Sequence, residues 1–486
     1  MKLTTKNIWF LCFIILMICI ISSVIFIRQE VIGHKFKCVG CNVILISLDA
    51  LRADHLGIYG YERNTSPNID HFAEQAYIFN NSISQSGITS LSVPSYLTSK
   101  LPITDGIVSL VSPNSVVTTL KEKEVTISEI LKQNGYHTYA IMSYPVMLSS
   151  NTGVAQGFEI FDEKCSENSN KSIENCFADS TTERTIKLLN GSTTQPFFMW
   201  VYYREPHAPY NPPLRIFEIF NNFNQTNSEL NETESREYWN QKMQYLIAKN
   251  SSKQINRTEY IVHRKIMHLD EEDANWLKNA YDANIYYVDE QIGILLDYLN
   301  KSGLMNKTVI IITSDHGELQ GEHHVFDHGG IRYQLIHTPL IIYLPEHNGR
   351  TIDYPVSNLD IMPTILEIAG LKTNLSFRGK NAFDNNRQGY VQFAEINESS
   401  TIIKNGWKLT AYEVPIENSC NSKNRLFDII RDPEENFGAV NVNTKICNQL
   451  KKAIIKIRTT QTIEINSSKE PDNETIEKLK ALGYVN

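Results

Sequence analysis

Two short runs of almost uninterrupted apolar residues, "NVILISLD" (42–49) and "KTVIIITSD" (307–315), each end in an aspartate. Runs of this length and composition are strands buried on both faces, as in a parallel sheet covered by helices. "PFFMWVYY" (196–203) and "TPLIIYLP" (338–345) have the same character. Helical segments lie between them. "TSPNIDHFAEQA" starts a helix with Ser66 at the cap and Pro67 at the first helical position. "TISEILKQNGYHTYAIMS" predicts a helix ending near Gly135 and then a strand. "DANWLKNAYDANIYYVDEQIGILLDYLNKSG" predicts a long amphipathic helix that stops at Gly303. Strands alternating with helices predict an α/β fold, doubly wound, with a mostly parallel sheet flanked by helices. A catalytic domain is expected over 42–375, carrying a polar, Asn-rich insertion at 215–270. Beyond 375 the apolar segments shorten, which predicts a smaller C-terminal α+β subdomain over 376–486.

In an open α/β sheet, ligands bind at the carboxyl ends of the strands. One strand ends here in Asp49; another ends in Asp315, followed at once by His316, Gly317 and Glu318. Carboxylate oxygens and imidazole nitrogen suit a hard or borderline divalent cation. A lone aspartate at a strand end is ordinarily a helix cap. Two such ends, with the dense polar run "SDHGELQGEHHVFDHGG" (314–330), point instead to a metal site.

The N-terminus and the cysteines bear on location. Residues 8–27, "IWFLCFIILMICIISSVIFI", carry no charge and are about as long as the roughly 20 residues a bilayer core requires. No small-residue cleavage site follows, so the reading is a signal-anchor within 1–28 and a juxtamembrane linker over 29–41. Six cysteines beyond the anchor form three sequence-local pairs: Cys38 with Cys41, Cys165 with Cys176, and Cys420 with Cys447. An even count there points to disulfides in an oxidising compartment. Cys38 and Cys41 have redox-motif spacing, but their juxtamembrane place argues against redox chemistry. The expected product is a single-pass membrane protein with its catalytic domain extracytoplasmic, in periplasm, lumen or at a cell surface. A net charge of −8 gives no reason to expect nucleic acid as a partner.

"VILISLDALRADHLGIYGYERNTSPNIDHFA", "YYREPHAPYNPP", "YDANIYYVDEQIGILLDYL", "TVIIITSDHGELQGEHHVFDHGGIRYQLIHTPLIIYLP", "LFDIIRDPEEN" and "IEKLKALGYVN" together resemble a sulfatase of the alkaline phosphatase superfamily. The histidine after Asp315 and the "GEHH" beyond it are similar to the phosphonate monoester hydrolase branch. The resemblance implies that Asp49, Asp315 and His316 are metal ligands. It implies that His207 and His328 contact the oxyanion or the leaving group, His328 standing where many relatives have lysine. One divalent ion is expected, its identity open among Ca, Mn, Zn and Mg.

Two departures matter. The second of the tandem acids usual after the first strand is replaced by Ala50, and the formylglycine-forming cysteine and its arginine are missing from "GITSLSVPSYLTSKLP" (87–102). Ser92 fits a local S-x-P-S match; Thr89 fits the spacing to the later Thr98-Ser99. Thr89 is the preferred nucleophile and Ser92 the alternative, because the missing cysteine and arginine read as one correlated change; Thr89 would then attack directly, from the start of a helix whose N-terminus, with the metal, favours an anion. A threonine nucleophile leans toward phosphorus, so the expected substrate is a sulfate- or phosphate-type ester of a small molecule, glycan or lipid. An envelope phosphotransferase of the phosphoethanolamine or glycerol phosphate type and a silent glycan-binding pseudoenzyme remain as alternatives. The oligomeric state stays open.

Overall fold

The computed structural model describes residue 17 and residues 36–459, apart from 111–117, 144–147, 165–176, 192–195, 222–236, 240, 247–257, 388, 413–419, 421–423 and 440–442. Its centre is an eight-stranded sheet. In chain order the strands that matter are β1 (Asn42–Asp49), β2 (Tyr77–Phe79), β3 (His137–Met142), β4 (Ile160–Asp162) and β5 (Phe197–Pro206). They continue with β6 (Thr258–Val262), β7 (Lys265–Leu269), β8 (Thr308–Ser314), β9 (Val325–Phe326), β10 (Leu340–Tyr343) and β11 (Thr351–Ile352). The order across the large sheet is β11-β2-β10-β8-β1-β5-β3-β4. The run from β8 to β4 is parallel throughout, while β10 is antiparallel to both of its neighbours.

Side chains alternate between the two faces, as the pleat requires. Ile44, Ile46 and Leu48 join one apolar core with Ile310 and Ile312; Val43 and Leu45 join the other with Val309 and Ile311. Helices cover both faces, giving the doubly wound α/β fold expected. One face receives the long helix α2 (Glu271–Lys301), whose Tyr281, Ile285 and Leu295 are fully buried. The other receives α1 (Thr89–Thr98), buried along its whole length.

Local chemistry explains the element ends. Thr126 and Glu129 form a reciprocal capping box at the start of the helix Ile127–Gln133, and Gly135 follows at φ 84°. Ser66 does precede the helix Pro67–Ala73, but its hydroxyl donates to Asp70 rather than capping the helix. Asp289 of α2 accepts the Asn68 and Ile69 amides instead, at 3.0 and 2.8 Å, so a neighbouring helix supplies the cap.

The expected insertion also contributes to the core. Phe217 of the helix Leu214–Asn221 packs on buried Trp239 and on Trp276 of α2. Past residue 390 a four-stranded antiparallel sheet carries the helix Thr444–Arg458, the predicted α+β subdomain. Cys420 is bonded to Cys447 and Cys38 to Cys41. Cys165, Cys176 and, except for Met17, the expected anchor over 8–27 lie outside the described residues. Among the described residues no helix is long and apolar enough to cross a membrane.

Candidate active site

Because β1 and β8 are parallel neighbours in register, with Leu48 opposite Ser314, their carboxyl ends deliver Asp49 and Asp315 to one point. His316 is the next residue. One ligand atom from each of the three lies within 4.8 Å of the others, and all three side chains are fully buried. The His316 Nε2 atom is 3.6 Å from both Asp49 Oδ1 and Asp315 Oδ2.

The two carboxylates differ in their surroundings. Asp315 accepts the Tyr202 hydroxyl at 2.9 Å, the His316 amide at 2.8 Å and the Ala50 amide at 3.2 Å. Neither oxygen of Asp49 has a hydrogen-bond partner among the described residues. Burial and the nearby Asp315 carboxylate push Asp49 well above the usual carboxylate range. A buried carboxylate with no donors, beside a second carboxylate, is stabilised as an anion by a cation placed between them. The donor set therefore fits one divalent ion. Ala50 stands where the second tandem acid was expected; its φ is 63°, and its carbonyl accepts the Tyr281 hydroxyl at 2.8 Å.

The segment expected to hold the nucleophile forms α1, with Thr89 at its first position. Pro94 inside the helix has no N–H, which leaves the Ser90 carbonyl without its helical donor; the Thr118 hydroxyl donates to it instead. Ser95 and Thr98 turn their hydroxyls onto the helix carbonyls of Leu91 and Pro94, at 2.9 and 2.7 Å. Ser92 likewise faces the Thr89 carbonyl at 3.4 Å. Thr89 is placed differently: its Oγ1 lies 3.1 Å from His316 Nε2. The other nitrogen of that ring, Nδ1, is 2.9 Å from the Gly317 carbonyl and must carry a proton. Nε2 therefore presents a lone pair, and the Thr89 hydroxyl donates to it.

β5 meets β1 with a register shift that sets Asp49 opposite Pro206, which leads the chain directly to His207. The His207 and His328 ring centres are 4.7 Å apart, and that of His316 is 4.8 Å from His328 and 6.5 Å from His207. The structure thus brings Asp49, Thr89, His207, Asp315, His316 and His328 together, with Ser92 turned away along the helix. Burial, with His328 and His316 beside it, lowers His207 well below the ordinary histidine range, and burial beside His316 lowers His328 to about 3. An anionic ester bound among these rings would act in the opposite direction, raising both toward their protonated forms.

Several residues around the site had no role in the sequence reading. Tyr202 holds Asp315. Glu318 Oε1 faces His328 Nδ1 at 3.5 Å, its Oε2 accepts the Tyr210 hydroxyl at 3.0 Å, and Gln320 donates to that hydroxyl at 2.8 Å. Burial raises Glu318 to about 7. The available signal was positional: polar side chains at the ends of otherwise apolar strands, or just beyond them.

Comparison with known proteins bears on the family and the fold. A family model described as sulfatase matches residues 41–371, and one described as N-sulphoglucosamine sulphohydrolase, C-terminal, matches 321–460. An arylsulfatase of Clostridium perfringens is 24% identical over 478 residues, covering 85% of this chain and 94% of the relative. A solved protein in complex with its substrate D-glucosamine-2-N,6-O-disulfate superposes with a TM-score of 0.67 at 20% identity, over 86% of this chain and 98% of its own. The phosphonate monoester hydrolase of Agrobacterium radiobacter superposes with a TM-score of 0.64 at 18% identity, over 86% of this chain and 95% of its own. These likenesses favour sulfate-ester hydrolysis; they favour neither the phosphotransferase nor the silent glycan-binding alternative.

Proposed function

The chain belongs to the sulfatase family and is a sulfate ester hydrolase, and on that premise we propose that Thr89 is its nucleophile, acting on a sulfated small molecule or glycan. The carrying observation is the 3.1 Å approach of Thr89 Oγ1 to His316 Nε2 at the edge of the buried acid pair.

Thr89 Oγ attacks the sulfur of the ester and its proton passes to solvent, because the His316 Nε2 lone pair it faces is the one that ring would offer to the ion. The S–O bond to the alcohol breaks, and the departing oxygen takes a proton from His328 or His207. What remains is a threonine sulfate. A formylglycine adduct can expel sulfate by collapsing to an aldehyde, but this adduct cannot. Water must attack the sulfur, and the imidazole that gave its proton to the alcohol now accepts one from that water. Sulfate leaves and the Thr89 hydroxyl is restored. Asp49, Asp315 and His316 would hold the divalent ion, which when bound stabilises the threonine alkoxide and the anionic ester.

The same reading keeps the enzyme extracytoplasmic, tethered by residues 8–27. The Cys38–Cys41 and Cys420–Cys447 disulfides support that placement, since such bonds persist in oxidising compartments.

Mass spectrometry of the Thr89 peptide, quenched during turnover of an aryl sulfate, tests the nucleophile. A sulfate mass increment localised to Thr89 is expected. The same increment on Ser92, or turnover with neither residue modified at any quench time, would overturn the assignment.

A further inference from the structure

The backbone around His328 is held on both sides. β9 pairs with β6 as far as Phe326 opposite Val262. Asp327 follows, with both carboxylate oxygens on backbone amides: Oδ2 accepts that of Arg264 at 2.9 Å and Oδ1 that of His328 at 2.8 Å. Beyond the histidine, the Gly329 amide donates to the Gly87 carbonyl at 3.0 Å. Gly87 has no room for a Cβ against the Gly330 carbonyl, so this loop lies directly on the segment that leads into Thr89. These contacts fix where the ring starts but leave its direction unset.

The side chains around the ring supply a partner. His328 Nδ1 has no hydrogen-bond partner among the described residues, and neither has Glu318 Oε1. The two orphaned atoms face each other at 3.5 Å, with the histidine side chain 6% exposed and the glutamate 0%. The other carboxylate near Nδ1, that of Asp327, is farther away at 3.8 Å and already engaged. Glu318 is itself fixed. Gln320 donates to the Tyr210 hydroxyl at 2.8 Å, so the proton of that hydroxyl goes to Glu318 Oε2 at 3.0 Å, which leaves Oε1 for the ring. A small rotation of either side chain closes the gap, as contacts in a reaction centre tighten when substrate binds.

We propose that Glu318 is a positioning residue that acts through His328: its Oε1 accepts the Nδ1–H of that ring and turns Nε2 toward the departing alcohol oxygen. This deepens the sulfate-ester reading above and rests on it. It assigns delivery of the proton to His328 rather than to His207, whose Nδ1 faces the Ala208 carbonyl. As the S–O bond breaks, its electron pair goes to the alcohol oxygen and the proton on Nε2 moves there too. The proton on Nδ1 stays against Glu318. The water that later attacks sulfur returns a proton to Nε2. An unactivated alkoxide is a poor leaving group and needs this proton, whereas a nitrophenolate departs without it. Glu318 thus fits the site to sulfates of unactivated alcohols.

The test compares kcat/KM of the full chain on phenyl sulfate and on para-nitrophenyl sulfate, two esters of similar shape whose leaving groups differ in basicity. This constant covers the steps up to departure of the alcohol. Glu318→Gln keeps the shape. With its carbonyl oxygen held by the Tyr210 hydroxyl, its amide turns a donor toward Nδ1. It should lower kcat/KM on phenyl sulfate at least about tenfold more than on the nitrophenyl ester. His328→Gln should show the same selectivity, and adding Glu318→Gln to it should cost no more than about a further twofold. Equal losses on the two esters, additive losses in the double variant, or a wild type that turns over only the nitrophenyl ester would overturn the positioning role alone. A wild-type chain inert toward both would overturn the sulfate-ester reading and the positioning role with it.

Discussion

Thr89 Oγ1 and His316 Nε2, 3.1 Å apart, join the first position of α1 to the residue that follows β8 and Asp315. A hydroxyl at a helix N-terminus, donating to a lone pair beside two buried carboxylates, is placed for attack rather than for helix stability. Thr89→Ala should lower kcat at least about a thousandfold, as expected for loss of a covalent nucleophile. Ser92→Ala, which removes only a 3.4 Å contact to a helix carbonyl, should stay within about threefold. Steady-state kinetics on an aryl sulfate check both, and the reverse ranking would move the chemistry to Ser92.

Asp49 gives the metal site a signature independent of turnover. Its orphaned, fully buried carboxylate destabilises the ion-free chain and is stabilised when a divalent ion binds. Adding ion at about a hundred times its Kd should stabilise the wild type by about 2.7 kcal/mol. Asp49→Asn should raise the melting temperature of the chelator-treated protein and abolish the ion-dependent rise. Asp315→Ala should also lose the ion response, but should melt lower without ion, because the Tyr202 hydroxyl loses its buried acceptor. Thermal melts with EDTA and then with Ca, Mn, Zn or Mg distinguish these outcomes and identify the ion.

Much of this was legible because buried parallel strands are written as apolar runs. β1 and β8 declare both their position and their ends, so Asp49, Asp315 and His316 follow directly. The choice between Thr89 and Ser92 depended on where α1 begins. Two hydroxyls three residues apart fit two motif registers, and only the helix start shows which one leaves the helix wall. The Glu318–His328 approach, the Tyr202 contact to Asp315 and the cap supplied by Asp289 were not legible. Each joins segments far apart in sequence through sheet register or helix packing.

The Cys420–Cys447 bond ties the connection that precedes the edge strand Asn424–Asp428 of the C-terminal sheet to its covering helix across a sequence separation of 27. Closing a loop of that length in the unfolded chain corresponds to about 3–4 kcal/mol. Replacing both cysteines with serine should lower the C-terminal subdomain's stability by about that amount, measured by denaturant unfolding. Non-reducing peptide mapping should find the bond in protein isolated from its native compartment, together with one between Cys165 and Cys176. Free thiols at these positions would count against the extracytoplasmic placement.

Glu205, between Arg204 and Pro206 at the end of β5, makes stability depend on pH. The side chain is fully buried, and burial raises its pKa from the ordinary 4.5 to about 7, with the Arg204 charge opposing the rise. The folded state therefore holds a proton that the unfolded chain releases above pH 4.5. Its contribution to stability is complete below that value, declines as pH rises toward 7 and is gone above it, a change of up to about 3 kcal/mol. Glu205→Gln removes the titration while keeping the shape. The variant should match wild type near pH 4.5 and exceed it by up to about 3 kcal/mol at pH 8. Urea unfolding of both proteins across this range reads the difference directly. A constant offset between the two curves would mean that Glu205 does not change its protonation on unfolding.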